Sequence, residues 1–140
     1  MDKFNFLLGD WKLEYNIPES MMSKKATGHG KGTFKKALDD HYVFFDYISH
    51  IEGQTGKAHG VFAKDEKADL YRYWWFESSG AFQTASCNFI NEDTLFMNWH
   101  DTLFVQTFTR IDKNQVILKM ENPDASGNYQ LVLEVKLIRT

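Results

Sequence analysis

From Trp11 the apolar and polar positions alternate with a period of two. Trp11, Leu13, Tyr15 and Ile17 stand against Lys12, Glu14 and Asn16. This spacing predicts a half-buried antiparallel strand with one apolar face and one wet face. Just upstream, Phe4, Leu7 and Leu8 fall at i, i+3 and i+4, one face of a helical turn. A short helical plug, a Gly9-x-Trp11 and a strand are a fitting start for a small closed barrel.

The same reading along the chain predicts about ten extended segments. After a loop at 18–25 that carries Met21 and Met22, the segment 26–36 has Ala26, Gly28, Gly30, Gly32 and Phe34 on one face. Glycine at every second residue strips side chains from that face, which suits a strand that must bend or let a neighbour approach. No helix-opening Lys-Ser/Thr follows, so the glycines do not read as a phosphate loop. Segments 41–51, 57–64, 70–76, 81–90, 94–101, 103–111, 115–121 and 129–139 follow. Short turns divide them, among them 53–56 and the charged 65–69. Nothing between them reads as a crossover helix, so the pattern predicts an all-β antiparallel meander. Ten strands bury their edges best by closing into an up-and-down β-barrel, and a barrel that wide encloses a cavity.

The last segment supports closure. Tyr129, Leu131, Leu133, Val135 and Leu137 form one row, and Arg139 continues it. If the first and last strands pair, Arg139 reaches Trp11 and its guanidinium can lie over the indole. Trp11 and Arg139 are therefore expected to be structural, sealing one end.

The 140 residues suit one domain, spanning 1–140, with a real core. Aromatic residues make up 16% of the chain, a surplus that suits both strands and a ligand pocket. The net charge of −3 argues against nucleic acid and anionic membrane as partners. No stretch approaches the roughly 20 apolar residues that span a bilayer, and no secretory leader is visible. A cytoplasmic location is expected. The single Cys87 excludes an internal disulfide, and its neighbours in alternation, Ala85 and Phe89, suggest an inert buried thiol.

Candidate chemistry is sparse. Among five histidines none forms a local metal pair, so no metal site is expected. His100 stands out because Trp99 and Asp101 flank it and Asn98 lies near it; His59 ranks second. Tyr71, Tyr73 and Trp75 share one face of 70–76, while Arg72, Trp74 and Phe76 share the other. Alternation alone leaves open which face is inside. Tyrosines inside would give amphipathic walls; Arg72 inside would be a buried cation suited to a fatty-acid-like head group. Ser78 and Ser79 lack a nucleophile elbow and read as turn formers, and no catalytic residue is assigned.

Gly9-x-Trp11 at the head and Arg139 at the tail resemble the calycin superfamily of lipocalins and fatty-acid-binding proteins. Gly60-Val61-Phe62, Lys64-Asp65-Glu66 and Tyr71-x-x-x-Trp75-Phe76-Glu77-Ser78-Ser79-Gly80 are similar to the DUF1579 family of uncharacterised lipocalin-like proteins. That family shows a Gly-Tyr-Asp turn and an Asp-Ser, where this chain has Phe62-Ala63-Lys64-Asp65 and Glu77. The resemblance covers nearly the whole chain and implies a lipocalin-like barrel without an assigned activity. A further resemblance, in the first and last strands, is to the nitrobindin-like haem proteins. There it implies a haem-ligating histidine near the start of the final strand, where Gln130-Leu131-Val132-Leu133-Glu134 has none, so no cofactor, haem included, is expected.

The leading expectation is a barrel that binds a small apolar or amphipathic molecule, with Tyr15, Tyr71, Tyr73, Trp75, Asn98 and His100 as cavity candidates. A second is a small-molecule isomerase or hydrolase with His100 inside, close to a carboxylate. A third is a homodimeric scaffold, with Phe44 or Ile48 of the two-sided apolar strand as its contact.

Overall fold

The computed structural model describes residues 1–20 and 23–140. Met21 and Met22 of the first long loop lie outside the described residues. Ten strands alternate as the period of two requires: β1 (Gly9–Ile17), β2 (Ala26–Ala37), β3 (Tyr42–Ile51), β4 (Gln54–Asp65), β5 (Leu70–Glu77), β6 (Phe82–Asn91), β7 (Thr94–Trp99), β8 (Val105–Asp112), β9 (Gln115–Pro123) and β10 (Tyr129–Arg139). Each pairs antiparallel with its neighbours in sequence, and β1 pairs with β10 to close the barrel. The fold is thus the closed, ten-stranded antiparallel barrel that the alternation predicts. Among the described residues, no helix is long and apolar enough to cross a membrane.

Local structure departs from the pattern at a few points. The N-terminal turn, Asp2–Leu7, is a 3-10 helix. Its three-residue repeat stacks Phe4 and Leu7 on the core, while Leu8 is already extended. The turn expected at 53–56 is Glu52-Gly53 instead, with positive φ at both (50° and 74°), as a tight two-residue hairpin demands. Strand β4 therefore starts at Gln54. In β10 the register shifts between Leu131 and Leu133. The bulge breaks the expected row: Leu133, Val135 and Leu137 face inward, while Tyr129 is exposed and Leu131 pairs with Glu121.

One end of the barrel is packed solid. Phe4 sits among Phe62, Tyr71 and Phe89 at ring distances of 4.9, 5.0 and 5.1 Å. Leu7, Trp11, Phe34, Val43, Leu95 and Val116 are buried there too. The plug is tied down by the chain's two ends. Trp11 Nε1 donates to the Leu7 carbonyl at 2.7 Å. Arg139 lies opposite Trp11 in the ladder, its guanidinium 4.2 Å from the indole centroid. Its Nη1 donates to Leu8 O at 2.6 Å, Nη2 to Phe6 O at 3.1 Å and Nε to Lys113 O at 2.9 Å. Gly9 lies under this group: its φ is 117°, and a Cβ there would stand 2.7 Å from Arg139 Nη1. Gly9-x-Trp11 and Arg139 are two halves of one latch.

The glycine face of β2 has a steric cause. A Cβ at Gly28 would lie 2.6 Å from the His50 carbonyl oxygen, and one at Gly30 would run into the Ile48 carbonyl oxygen. β3 folds over these residues as the barrel bends.

Two sets of substitutions test this account by urea unfolding. Gly30→Ala is expected to cost about 1–3 kcal/mol, because backbone must move. Gly53→Ala has open space and only its turn conformation to strain, about 1 kcal/mol. Equal costs would refute the close-approach explanation. Arg139→Ala is expected to lose on the order of 3 kcal/mol, combining charged hydrogen bonds and the indole contact. Arg139→Lys should recover only a minor part, since an ammonium cannot span three carbonyls.

Candidate functional site

Opposite the plug the barrel is hollow. A cavity of about 420 Å³ opens between the ends of β5, β6 and the β7–β8 connection. Leu13, Phe45, Phe108, Leu118, Met120, Leu133 and Val135 provide its apolar wall. The volume falls within the range of about 300–1,000 Å³ usual for small-molecule sites.

The polar groups concentrate on one side, through the inner row of β4. That row reads Gly56, Ala58, Gly60, so large side chains of the flanking strands lean across it. Tyr47 of β3 and Trp75 of β5 meet there, and Trp75 Nε1 donates to the Tyr47 hydroxyl at 2.8 Å. The Tyr73 ring lies against Gly60, where any Cβ would collide with it. It also packs on Phe62, with centroids 4.2 Å apart, and meets Trp99 edge-on at 5.7 Å. Tyr15 shares a hydrogen bond with Ser49. Across the cavity Trp99 Nε1 donates to Gln106 Oε1 at 3.1 Å. Burial raises the pKa of Tyr15, Tyr47 and Tyr73 above the ordinary phenol range, so all three hydroxyls are neutral near pH 7.

At the mouth stands Glu77, the last residue of β5, half-buried and facing inward. The Ser79 hydroxyl donates to its Oε1 at 2.7 Å. The cavity lining contains no other carboxylate among the described residues, and no lysine, arginine or histidine.

The structure sorts the candidates from sequence into three groups. Tyr15, Tyr73 and Trp75 line the cavity. Tyr71 faces inward but is consumed by the packed end, against Phe4 and Phe89. Asn98 and His100 are corrections, for neither reaches the cavity. Asn98 pairs with Ser86 on the outer row and is exposed. His100 falls beyond the end of β7, and its ring folds onto the outer wall, with Nδ1 2.7 Å from Thr84 Oγ1 and Nε2 2.6 Å from Ser86 Oγ. Its ring partners are hydroxyls, not a carboxylate, so the expected His100-centred pocket is not formed. Arg72 also points outward, donating from Nε to Asp65 Oδ2 at 3.1 Å and from Nη1 to Ser86 Oγ at 2.8 Å. His59 is outside as well, 2.6 Å from Asp46 Oδ1. Among the described residues no cluster of metal-ligating side chains occurs.

Sequence reasoning passed over Tyr47, Trp99, Gln106 and Glu77. Glu77 was available from parity, being two residues beyond Trp75. The outward face of β3 to β6 carries a row of apolar side chains: Phe44, Val61 and Trp74 in register, then the exposed Phe76 and Phe82.

No protein-family model matches the chain, and no curated protein matches its sequence. Solved structures share its architecture. The Mycobacterium tuberculosis protein Rv2717c aligns over 100% of this chain and 98% of its own, at TM-score 0.66 and 10% identity. An S-type phycobiliprotein lyase from Guillardia theta aligns over 99% and 91%, at TM-score 0.67 and 10% identity. A de novo designed fluorescence-activating β-barrel aligns over 100% and 99%, at TM-score 0.50 and 12% identity. At such identities the likeness establishes the barrel fold.

The buried titratable groups set an alkaline limit to stability. Burial is the main cause that pushes the Cys87 thiol up from its ordinary 9.0 to about 12, with Arg72 opposing it. Above pH 9 the unfolded chain therefore releases a proton that the folded chain retains. The buried tyrosines add to this as unfolded phenols ionise near 10. Stability is fully present below about pH 9 and falls above it, by about 1.4 kcal/mol per pH unit for each withheld proton. Urea unfolding across this range should show the decline, and Cys87→Ala should make it shallower. A free energy independent of pH up to about 11 would contradict the burial of these groups.

Proposed function

We propose that this protein is a binding barrel for a small, largely apolar or amphipathic molecule held in the cavity. The observation that carries the reading is an asymmetrically filled barrel. One end is packed and latched, while the other keeps about 420 Å³ of apolar space open beside a few placed hydroxyl and indole groups. The designed fluorescence-activating barrel and the phycobiliprotein lyase support the reading as examples of what this architecture can be used for.

Filling the cavity tests it. Nile red, a neutral dye, is expected to bind the protein with one strong site and to quench tryptophan fluorescence. In the double variant Leu118→Trp/Leu133→Trp the hollow is occupied, and binding should weaken at least about tenfold, a loss of 1.4 kcal/mol or more. The dye should also raise the urea midpoint of the original protein and leave that of the variant unmoved. Undiminished binding by a folded variant would move the site to the outer apolar row and overturn the proposal.

A further inference from the structure

The mouth of the cavity has a definite charge character, which goes beyond an apolar container. Glu77 takes part in none of the ion pairs among the described residues. Among the described residues its one side-chain hydrogen-bond partner is the neutral Ser79 hydroxyl. Two cations of β4 and β5 face away from it: Arg72 is bound to Asp65 on the outer wall, and Lys57 sits opposite Ile48 on the outer row. Aromatic side chains line the cavity that Glu77 borders. Trp75 and Trp99 approach edge-to-face at 6.3 Å, and Tyr47 and Tyr15 stand beside them.

A carboxylate at the mouth of an aromatic-lined cavity, whose lining holds no basic residue among the described residues, repels an anionic head group and attracts a cationic one. An ammonium within about 6 Å of a ring centroid is stabilised by the ring's quadrupole, and more so when partly desolvated. A fatty acid would meet the opposite condition, a carboxylate placed near Glu77 with no cation to receive it. We infer that the ligand is an apolar organic cation, its hydrocarbon or aromatic body in the cavity and its ammonium group at Glu77. This inference rests on the cavity-binding reading above and specifies its ligand class.

Three probes that share a chain and differ in the head separate the two claims: decyltrimethylammonium, decanol and decanoate. Each is titrated below its micelle concentration at about pH 7.5 and low salt, as a competitor of Nile red. The cation is expected to bind about tenfold or more tightly than decanoate, with decanol between them. Glu77→Gln should bring cation and anion close to parity while leaving decanol unchanged, and Glu77→Lys should reverse their order. The rim position of Glu77 allows both variants to fold, which thermal melting verifies. Decanoate binding as tightly as the cation, or an unchanged ratio in both folded variants, overturns the inference of a cation. If decanol binds in that case, the cavity reading survives. Failure of the dye and of all three probes to bind overturns the cavity reading and this inference with it.

Discussion

A ten-stranded barrel is too wide for its own wall side chains to fill, and this structure resolves the problem at one end only. The Asp2–Leu7 plug brings Phe4 and Leu7 into the gap. Where the plug runs into β1, Arg139 takes the carbonyls of Phe6 and Leu8 and Trp11 Nε1 takes that of Leu7. That single guanidinium joins the plug, the indole of Trp11 and the β8–β9 side of the barrel through Lys113 O. Because it sits on the closing strand, one residue serves both to seal the end and to close the sheet. Among the described residues the opposite end has no such insert, and a cavity remains there.

The shape of the hollow follows from small residues rather than large ones. On β2 the glycines admit the backbone of β3 as the barrel turns its corner. On β4 the row Gly56, Ala58, Gly60 leaves a floor over which Tyr47, Tyr73 and Trp75 extend. Strands that are not adjacent can therefore exchange a hydrogen bond across an intervening one. The Tyr47 hydroxyl and the Trp75 indole are thereby brought together on one wall, while β8, β9 and β10 contribute mainly apolar side chains. Grouping matters for binding, because a few oriented donors fix a ligand's pose that apolar contacts alone would leave free.

Much of this was legible in the sequence because alternation carries both strand and face. The closed meander and the pairing of Trp11 with Arg139 follow from period two and from the need to hide edges, and the plug follows from the helical spacing of Phe4, Leu7 and Leu8. What escaped did so for identifiable reasons. The bulge between Leu131 and Leu133 inverts the face midway through an unbroken apolar run, and nothing in the residue types announces it. His100 seemed to continue β7, but the strand ends one residue earlier. Its imidazole is held against β6 by Thr84 and Ser86. Two aromatic faces on β5 made its orientation undecidable from the pattern alone. Burial of Tyr71 against Phe4, a contact more than sixty positions away in the chain, settles it.

The orientation of β5 has the widest consequence. Along this strand the inner positions are Tyr71, Tyr73, Trp75 and Glu77, and the outer ones are Arg72, Trp74 and Phe76. A slip of one residue would exchange the two sets, because side chains alternate strictly across a sheet. Arg72 would then enter the barrel and Glu77 would leave it, converting an acidic mouth into a basic interior. Three features hold the register against that slip: the Phe4 ring on Tyr71, the Gly60 floor beneath Tyr73, and the outward pairing of Arg72 with Asp65. The contacts that pack the closed end thus also determine the sign of charge presented at the open one.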